Sequence, residues 1–243
     1  VTTPTLVFLH GVGLDHSVWE PVAALLGDDV RVVAPDLPGH GARPPVSPGV
    51  TLADLAEGVA ADIPDGAHLV GFSLGAMVAQ YLAIHRPELV ATLTSVSSVC
   101  LRTPAERAAV LERLRTADTD VRASTEASLR RWYDGTDVDA ELIARTERTL
   151  LANDPDSFVN SYRVFATADA ELGPDLGRIA VPALAVTGER DPGSTPEMTR
   201  RLAAAIPNCE AVVVPDARHM LPVERPAELV RILSTFLGRY ARV

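Results

Sequence analysis

A serine acts as a nucleophile when a turn presents its hydroxyl and a base can take its proton, and Gly71-Phe72-Ser73-Leu74-Gly75 has the residues for such a turn. The run matches G-x-S-x-G, with an apolar stretch from His68 to Phe72 before it and a helix-period stretch from Leu74 to His85 after it. A serine on so sharp a strand-to-helix turn sits on a strained backbone, and glycines two residues to either side let the neighbouring chain close around it. An ordinary Gly-Ser turn can share the spacing, but the two flanks favour the nucleophile.

The base and the acid that orients it are expected in the chain order Ser, Asp or Glu, His. His219 follows the apolar run Ala211 to Val214, and Asp191 follows Ala183 to Thr187, 28 residues earlier, which leaves room for one helix and one strand between them. Glu189 and Asp216 are the competing acids, Glu189 the more serious because it lies on the same loop as Asp191. His16, His40, His68 and His85 all precede the acid strand and read as structural. His10-Gly11-Val12-Gly13 follows the first strand beside the expected elbow, so the backbone N–H groups of Val12 and Leu74 are the pair assigned to an oxyanion hole. The His10 imidazole reads as shaping that turn.

These loops need a frame. Short β-branched runs at Thr5 to His10, Val30 to Pro35, His68 to Phe72, Leu93 to Val96, Ala183 to Thr187 and Ala211 to Val214 are apolar nearly throughout, as strands covered on both faces must be. Between them lie helix-period segments at Val18 to Leu26, Leu52 to Ala61, Leu74 to His85, Glu197 to Ala205 and Ala227 to Tyr240, with Pro226 placed where a missing N–H costs least. The alternation predicts a mostly parallel sheet with helices on both faces. It breaks from Leu101 to Gly177, where AERAAVLERLRTA and Glu141 to Leu151 read as helices and no strand is convincing. The expected organisation is therefore a core of residues 1–100 and 178–243, with residues 101–177 as a helical insertion over the sheet.

Composition removes other classes of chemistry. All 22 basic side chains are arginine, which excludes Schiff-base catalysis, a Ser-Lys dyad and a phosphate-loop lysine, and leaves Asp36-Leu37-Pro38-Gly39-His40-Gly41 as a turn-rich loop. A formal net charge of −10 without a basic stripe argues against nucleic acid or an anionic membrane surface as partner. Cys100 and Cys209 lack metal-ligand spacing and read as reduced, buried thiols, although one disulfide stays open. The N-terminal run has no charged n-region and no stretch has the length of a membrane span, so a soluble cytoplasmic protein is expected. Arginine without lysine, with abundant Ala, Val and Pro, suggests a high-GC bacterial source.

The runs HGVG, DLPGHG, GFSLG, GERD and ARHMLPVERP, in that order across almost the whole chain, resemble the α/β-hydrolase superfamily. The resemblance implies that Ser73 attacks an acyl carbon, that water activated through His219 hydrolyses the acyl-enzyme, and that no metal or organic cofactor takes part. HGVGLDHSVWEPVAALL, LRRWYDG and the stretch from Ser161 to Pro192 look most like the 3-oxoadipate enol-lactonase group, which implies a cap and a small carboxylate-bearing lactone. By that likeness Arg130 or Arg131 is a carboxylate partner and Trp132 a pocket wall; the alternative is a solvated helix face and cap core. The family usually has a β-hairpin ahead of its HG strand, whereas here that strand starts near residue 5, which implies a sheet about two strands shorter. Its G-H-G-x-S loop appears as Gly39-His40-Gly41-Ala42-Arg43, without the serine. Hydrolysis of a small-molecule ester or lactone is the leading reading. C–C bond hydrolysis comes second, a non-catalytic ligand-binding protein of the same shape is a third, and Ser73 disfavours dehalogenation, which needs a carboxylate at the elbow. Oligomeric state is open.

Overall fold

The computed structural model describes residues 3–240. Six strands, β1 (Thr5–Leu9), β2 (Arg31–Val33), β3 (Ala67–Phe72), β4 (Val90–Val96), β5 (Ala183–Gly188) and β6 (Cys209–Val214), form one sheet in the order β2-β1-β3-β4-β5-β6. Every pairing is parallel. β3 and β5 are buried along their full length, whereas the edge strands β2 and β6 are partly exposed. All six expected strands form, and β4 and β6 start a few residues earlier than the apolar runs suggest. No hairpin precedes β1 among the described residues, and residues 1, 2 and 241–243 of the expected core lie outside them.

Alternation along the strands builds two cores. Val7, Leu9 and Leu69 point to one face, covered by α2 (Leu52–Ala60) and α3 (Leu74–His85). Leu6, Phe8, Val70 and Phe72 point to the other, covered by α1 (Glu20–Ala23) and the C-terminal helix Pro226–Leu237. The helix expected from Val18 to Leu26 is two shorter pieces. Asp15 caps a 3₁₀ turn over His16–Trp19, and α1 then restarts where Pro21 can sit in a first turn, its missing N–H having no partner to lose there.

Between β4 and β5 the chain is helical: α4 (Pro104–Thr119), α5 (Val121–Tyr133), α6 (Ala140–Ala152), α7 (Pro155–Thr167), the short α8 (Asp169–Leu172) and a 3₁₀ stretch Gly173–Arg178. The starts of α4 to α7 have local causes. Thr103 and Glu106 close a capping box at α4, and Asp120, Asp139 and Asp154 cap α5, α6 and α7 with side-chain carboxylates. Side chains fasten this segment to the sheet loops. Asn153 donates to the Gly13 carbonyl at 2.7 Å and Ser157 Oγ donates to the Gly39 carbonyl at 3.0 Å, while within the segment Arg102 pairs with Asp169 at 2.7 Å with both side chains 1% exposed. After β5, α9 (Pro196–Ala205) leads into β6, and α10 (Leu221–Glu224) and α11 (Pro226–Leu237) complete the chain. Cys100 and Cys209 are free thiols, Cys100 buried and Cys209 only partly so, and burial pushes both up to about 12.

Candidate active site

β1 is flanked by β2 on one side and β3 on the other, so the chain reverses its direction of travel across the sheet at this pair. In open parallel sheets the crevice beyond the carboxyl ends of such strands is where ligands bind. Those two ends carry the His10–Gly13 loop and the turn at Ser73.

Ser73 lies between β3 and α3 with φ 54° and ψ −113°, outside the favoured regions for an L-residue. Close packing holds it there. A Cβ on Gly75 would collide with the Leu9 and His10 carbonyls, and one on Gly71 would collide with Gly75 and Ala76. Gly11 lies so near that its Cβ would stand 3.3 Å from Ser73 Cβ. The loop after β1 is thereby pressed against the turn. Within it, His10 Nε2 accepts from the Leu37 N–H at 2.9 Å, which places the proton on Nδ1, and that N–H donates to the Gly11 carbonyl at 2.8 Å. Burial lowers the His10 pKa, so the ring is a neutral brace between the loops after β1 and β2.

Leu74 is buried and Val12 nearly so, and among the described residues neither N–H donates a hydrogen bond to the backbone or to a side chain. Val12 lies on the loop after β1, and Leu74 opens α3 directly after Ser73.

Asp191 and His219 stand on the loops that follow β5 and β6. Asp191 Oδ2 accepts from His219 Nδ1 at 2.7 Å, and both residues are buried. The Gly193 and Ser194 N–H groups each donate to Asp191 Oδ1 at 2.9 Å, so the carboxylate is held from two sides. With its proton on Nδ1, the imidazole keeps Nε2 as an acceptor. Its backbone is pinned by Ser97, whose hydroxyl donates to the His219 carbonyl at 3.0 Å, and its ring stacks on Trp132 at 5.6 Å between centroids and leans on Phe72 at 5.1 Å. The rival acids are elsewhere: Glu189 is exposed and accepts from the Asp216 N–H at 3.1 Å, and Asp216 pairs with Arg190.

Ser73, Asp191 and His219 line one cleft, whose empty space, counting the part open to solvent, is about 560 Å³. No hydrogen bond joins Ser73 Oγ to the imidazole among the described residues; in ligand-free sites such contacts commonly tighten only around the substrate. The rest of the wall comes from the helices between β4 and β5. Trp132 and Arg131 line the cavity, as do Leu150, Phe158 and Phe165, whereas Arg130 is exposed on α5 and does not. Of the arginine alternatives weighed from sequence, Arg131 alone faces the cavity. Sequence reasoning missed Arg113, Thr125 and Ser194, which also line it, and Ser97 and Arg218, which brace it. Arg218 donates to the Arg131 carbonyl at 3.0 Å, tying the histidine loop to α5. No cluster of three or more His, Cys, Asp or Glu side chains among the described residues could hold a metal ion.

Residues 6–232 match the model of the alpha/beta hydrolase family. The chain is similar to a 3-oxoadipate enol-lactonase of Acinetobacter baylyi, 31% identical over 96% of this chain and 88% of that protein. It is also similar to an (E)-2-((N-methylformamido)methylene)succinate hydrolase of the same species, 28% identical over 96% of this chain and 89% of the other. Among solved structures, the enol-lactonase from Burkholderia xenovorans superposes with a TM-score of 0.84 at 25% identity, covering 98% of this chain and 92% of that one.

Proposed function

The chain belongs to the alpha/beta hydrolase family, and on that premise we propose that it is a serine hydrolase cleaving a small carboxylic ester or lactone through an acyl-enzyme. The observation that carries the reading is the 2.7 Å bond from His219 to a carboxylate held on both oxygens, at a cavity that Ser73 also lines. Ser73 Oγ attacks the acyl carbon as His219 Nε2 takes its proton, and the oxygen of the tetrahedral intermediate is stabilised by the Val12 and Leu74 N–H groups. His219 returns that proton to the departing alkoxide as the C–O bond breaks. Water then attacks the acyl-enzyme, giving its proton to His219, and the acid product leaves as Ser73 is reprotonated. Asp191 keeps the imidazole in the required tautomer throughout.

In this reading residues 1–100 and 178–243 form the hydrolase core and residues 101–177 a cap that sets selectivity. Trp132 stacks on His219, so it forms the wall nearest the reacting carbon, and Arg131 beside it offers a planar cation to a carboxylate on the substrate. Two relatives carry names that denote carboxylates, one an enol-lactone of oxoadipate and the other a succinate bearing an N-methylformamido group.

A panel of short esters and lactones, with a carboxylated enol-lactone among them, tests the reading together with fluorophosphonate labelling. The native protein is expected to turn over at least one substrate and to be labelled at Ser73, and Ser73→Ala should lose labelling and roughly 10⁵- to 10⁶-fold in kcat while staying folded. A native protein that is neither labelled nor active on any member of the panel sinks it.

A further inference from the structure

One wall of the cavity carries positive charge that no carboxylate of the protein balances by direct contact. Arg113 on α4 and Arg131 on α5 both line it and are partly shielded from solvent. Among the described residues Arg102 before α4 and Arg107 and Arg115 on it each pair with an aspartate or glutamate, while Arg122 and Arg130 on α5 face solvent without such a pair. Arg113 and Arg131 form no such pair. Arg131 spends its donors on the Ser128 hydroxyl at 3.0 Å and on the Ala127 carbonyl at 3.4 Å. Its pKa is pushed down first by burial and also by the charge of Arg113, which places the two guanidinium groups within each other's field.

A second observation falls at the same place. Thr125 is 2% exposed and lines the cavity, and its Oγ1 has no hydrogen-bond partner in the protein. Buried hydroxyls are almost always satisfied, so an unpartnered one on a cavity wall that also carries Arg113 and Arg131 has a donor to offer a ligand there. The spacing on α5 is helical: Thr125, Ser128 and Trp132 stand at i, i+3 and i+7 on one face, with Arg131 at its margin. Leu150, Phe158 and Phe165 add apolar wall, so the cavity has two polar groups of residues, one at Ser73, Asp191 and His219 and one on α4 and α5.

We propose that Arg113, Arg131 and the Thr125 hydroxyl bind a carboxylate of the substrate set apart from the bond that Ser73 attacks. The proposal rests on the serine-hydrolase reading and narrows its substrates to anionic esters and lactones. A planar guanidinium matches the two oxygens of a carboxylate, and the threonine hydroxyl supplies a further donor. Where the carboxylate sits on the acyl part, hydrolysis yields a dicarboxylic acid, so the product is itself a ligand of this clamp.

The test compares monomethyl adipate with its uncharged dimethyl ester. Native protein should prefer the monoester in kcat/KM; Arg113→Met should cut that preference by about 10- to 100-fold, mostly through KM, and Thr125→Val by about 3- to 10-fold. Adipate binding to Ser73→Ala protein, followed by titration calorimetry against inorganic phosphate, reads the clamp without turnover, and Arg113→Met in that background should weaken it. An unchanged preference in both variants overturns the proposal, as does tighter binding of phosphate than of adipate. If the native protein hydrolyses neither ester while Ser73→Ala protein binds adipate through Arg113, the clamp stands and the hydrolase reading falls. If native and variants cleave both esters alike, the reverse holds.

Discussion

The loops at the carboxyl ends of the strands and the helices between β4 and β5 meet at one cavity, yet they are specified by different forces. Around Ser73 the determinants are main-chain atoms: Gly71 and Gly75 are packed against backbone so closely that no Cβ fits, and Asp191 is held by two N–H groups of its own loop. Around Arg113 and Thr125 the determinants are side-chain directions on helices, where one residue's rotation moves a group from water to the cavity. On the proposed reading, reaction type would rest on the region fixed by main-chain packing and selectivity on side chains of the helices. The two regions touch at Trp132, which stacks on His219, and at Arg218, which donates to the Arg131 carbonyl.

The largest effect that tests this division is at the acid. Asp191→Asn should lower kcat by about 10⁴-fold with little change in fold, because an amide favours the wrong imidazole tautomer, whereas Glu189→Gln should leave steady-state rates close to native. Equal losses from the two would break the assignment of the acid to a fixed loop position. The next test sits in the helices. Asp169→Ala leaves the Arg102 guanidinium buried without a carboxylate and should destabilise the protein by about 3–5 kcal/mol in denaturant unfolding. If the helices act only through selectivity, KM should rise in this variant under native conditions more than kcat falls.

The smallest effect concerns the loop after β1. His16 has its pKa raised above 6.5, chiefly by the hydrogen bond from its ring to Asp36. The stability gained from this contact is fully present below the unfolded pKa and is lost as pH rises through the higher folded one. Titration by NMR should show the raised value in the native protein and its return towards 6.5 in Asp36→Asn, with a correspondingly flatter Tm between pH 6 and 8.

The same division explains which features could be read from sequence. Strand runs, the glycine spacing at the elbow and the order of Ser73, Asp191 and His219 follow from constraints local in the chain, and the structure places these residues where that order implies. Residues 101–177 read as helical, but the separate bounds of α5 and α7 are not legible in the sequence. On α5 the inward face is Thr125, Ser128 and Trp132, so the apolar periodicity that announces a buried helix face is missing where that face lines a cavity. Arg113 escaped for a related reason: AERAAVLERLRTA is polar on most of its circumference, and its arginines look alike until tertiary packing sends one inward. The exposed Arg130 and the cavity-lining Arg131 differ by a single step of about 100° around the same helix. Asp15, one residue before the 3₁₀ turn, was the available sign that the first helix begins early and in two pieces.

The backbone of Ser73 has a wider consequence. Its positive φ is a conformation that glycine adopts freely and serine does not, at a cost of about 1–3 kcal/mol, comparable to a sizeable share of a domain's net stability. Ser97, Leu101 and Asp216 share a positive φ, so strain alone marks no site; at Ser73 the strained residue also lines the cleft, so relieving it by substitution would change that wall as well as the turn.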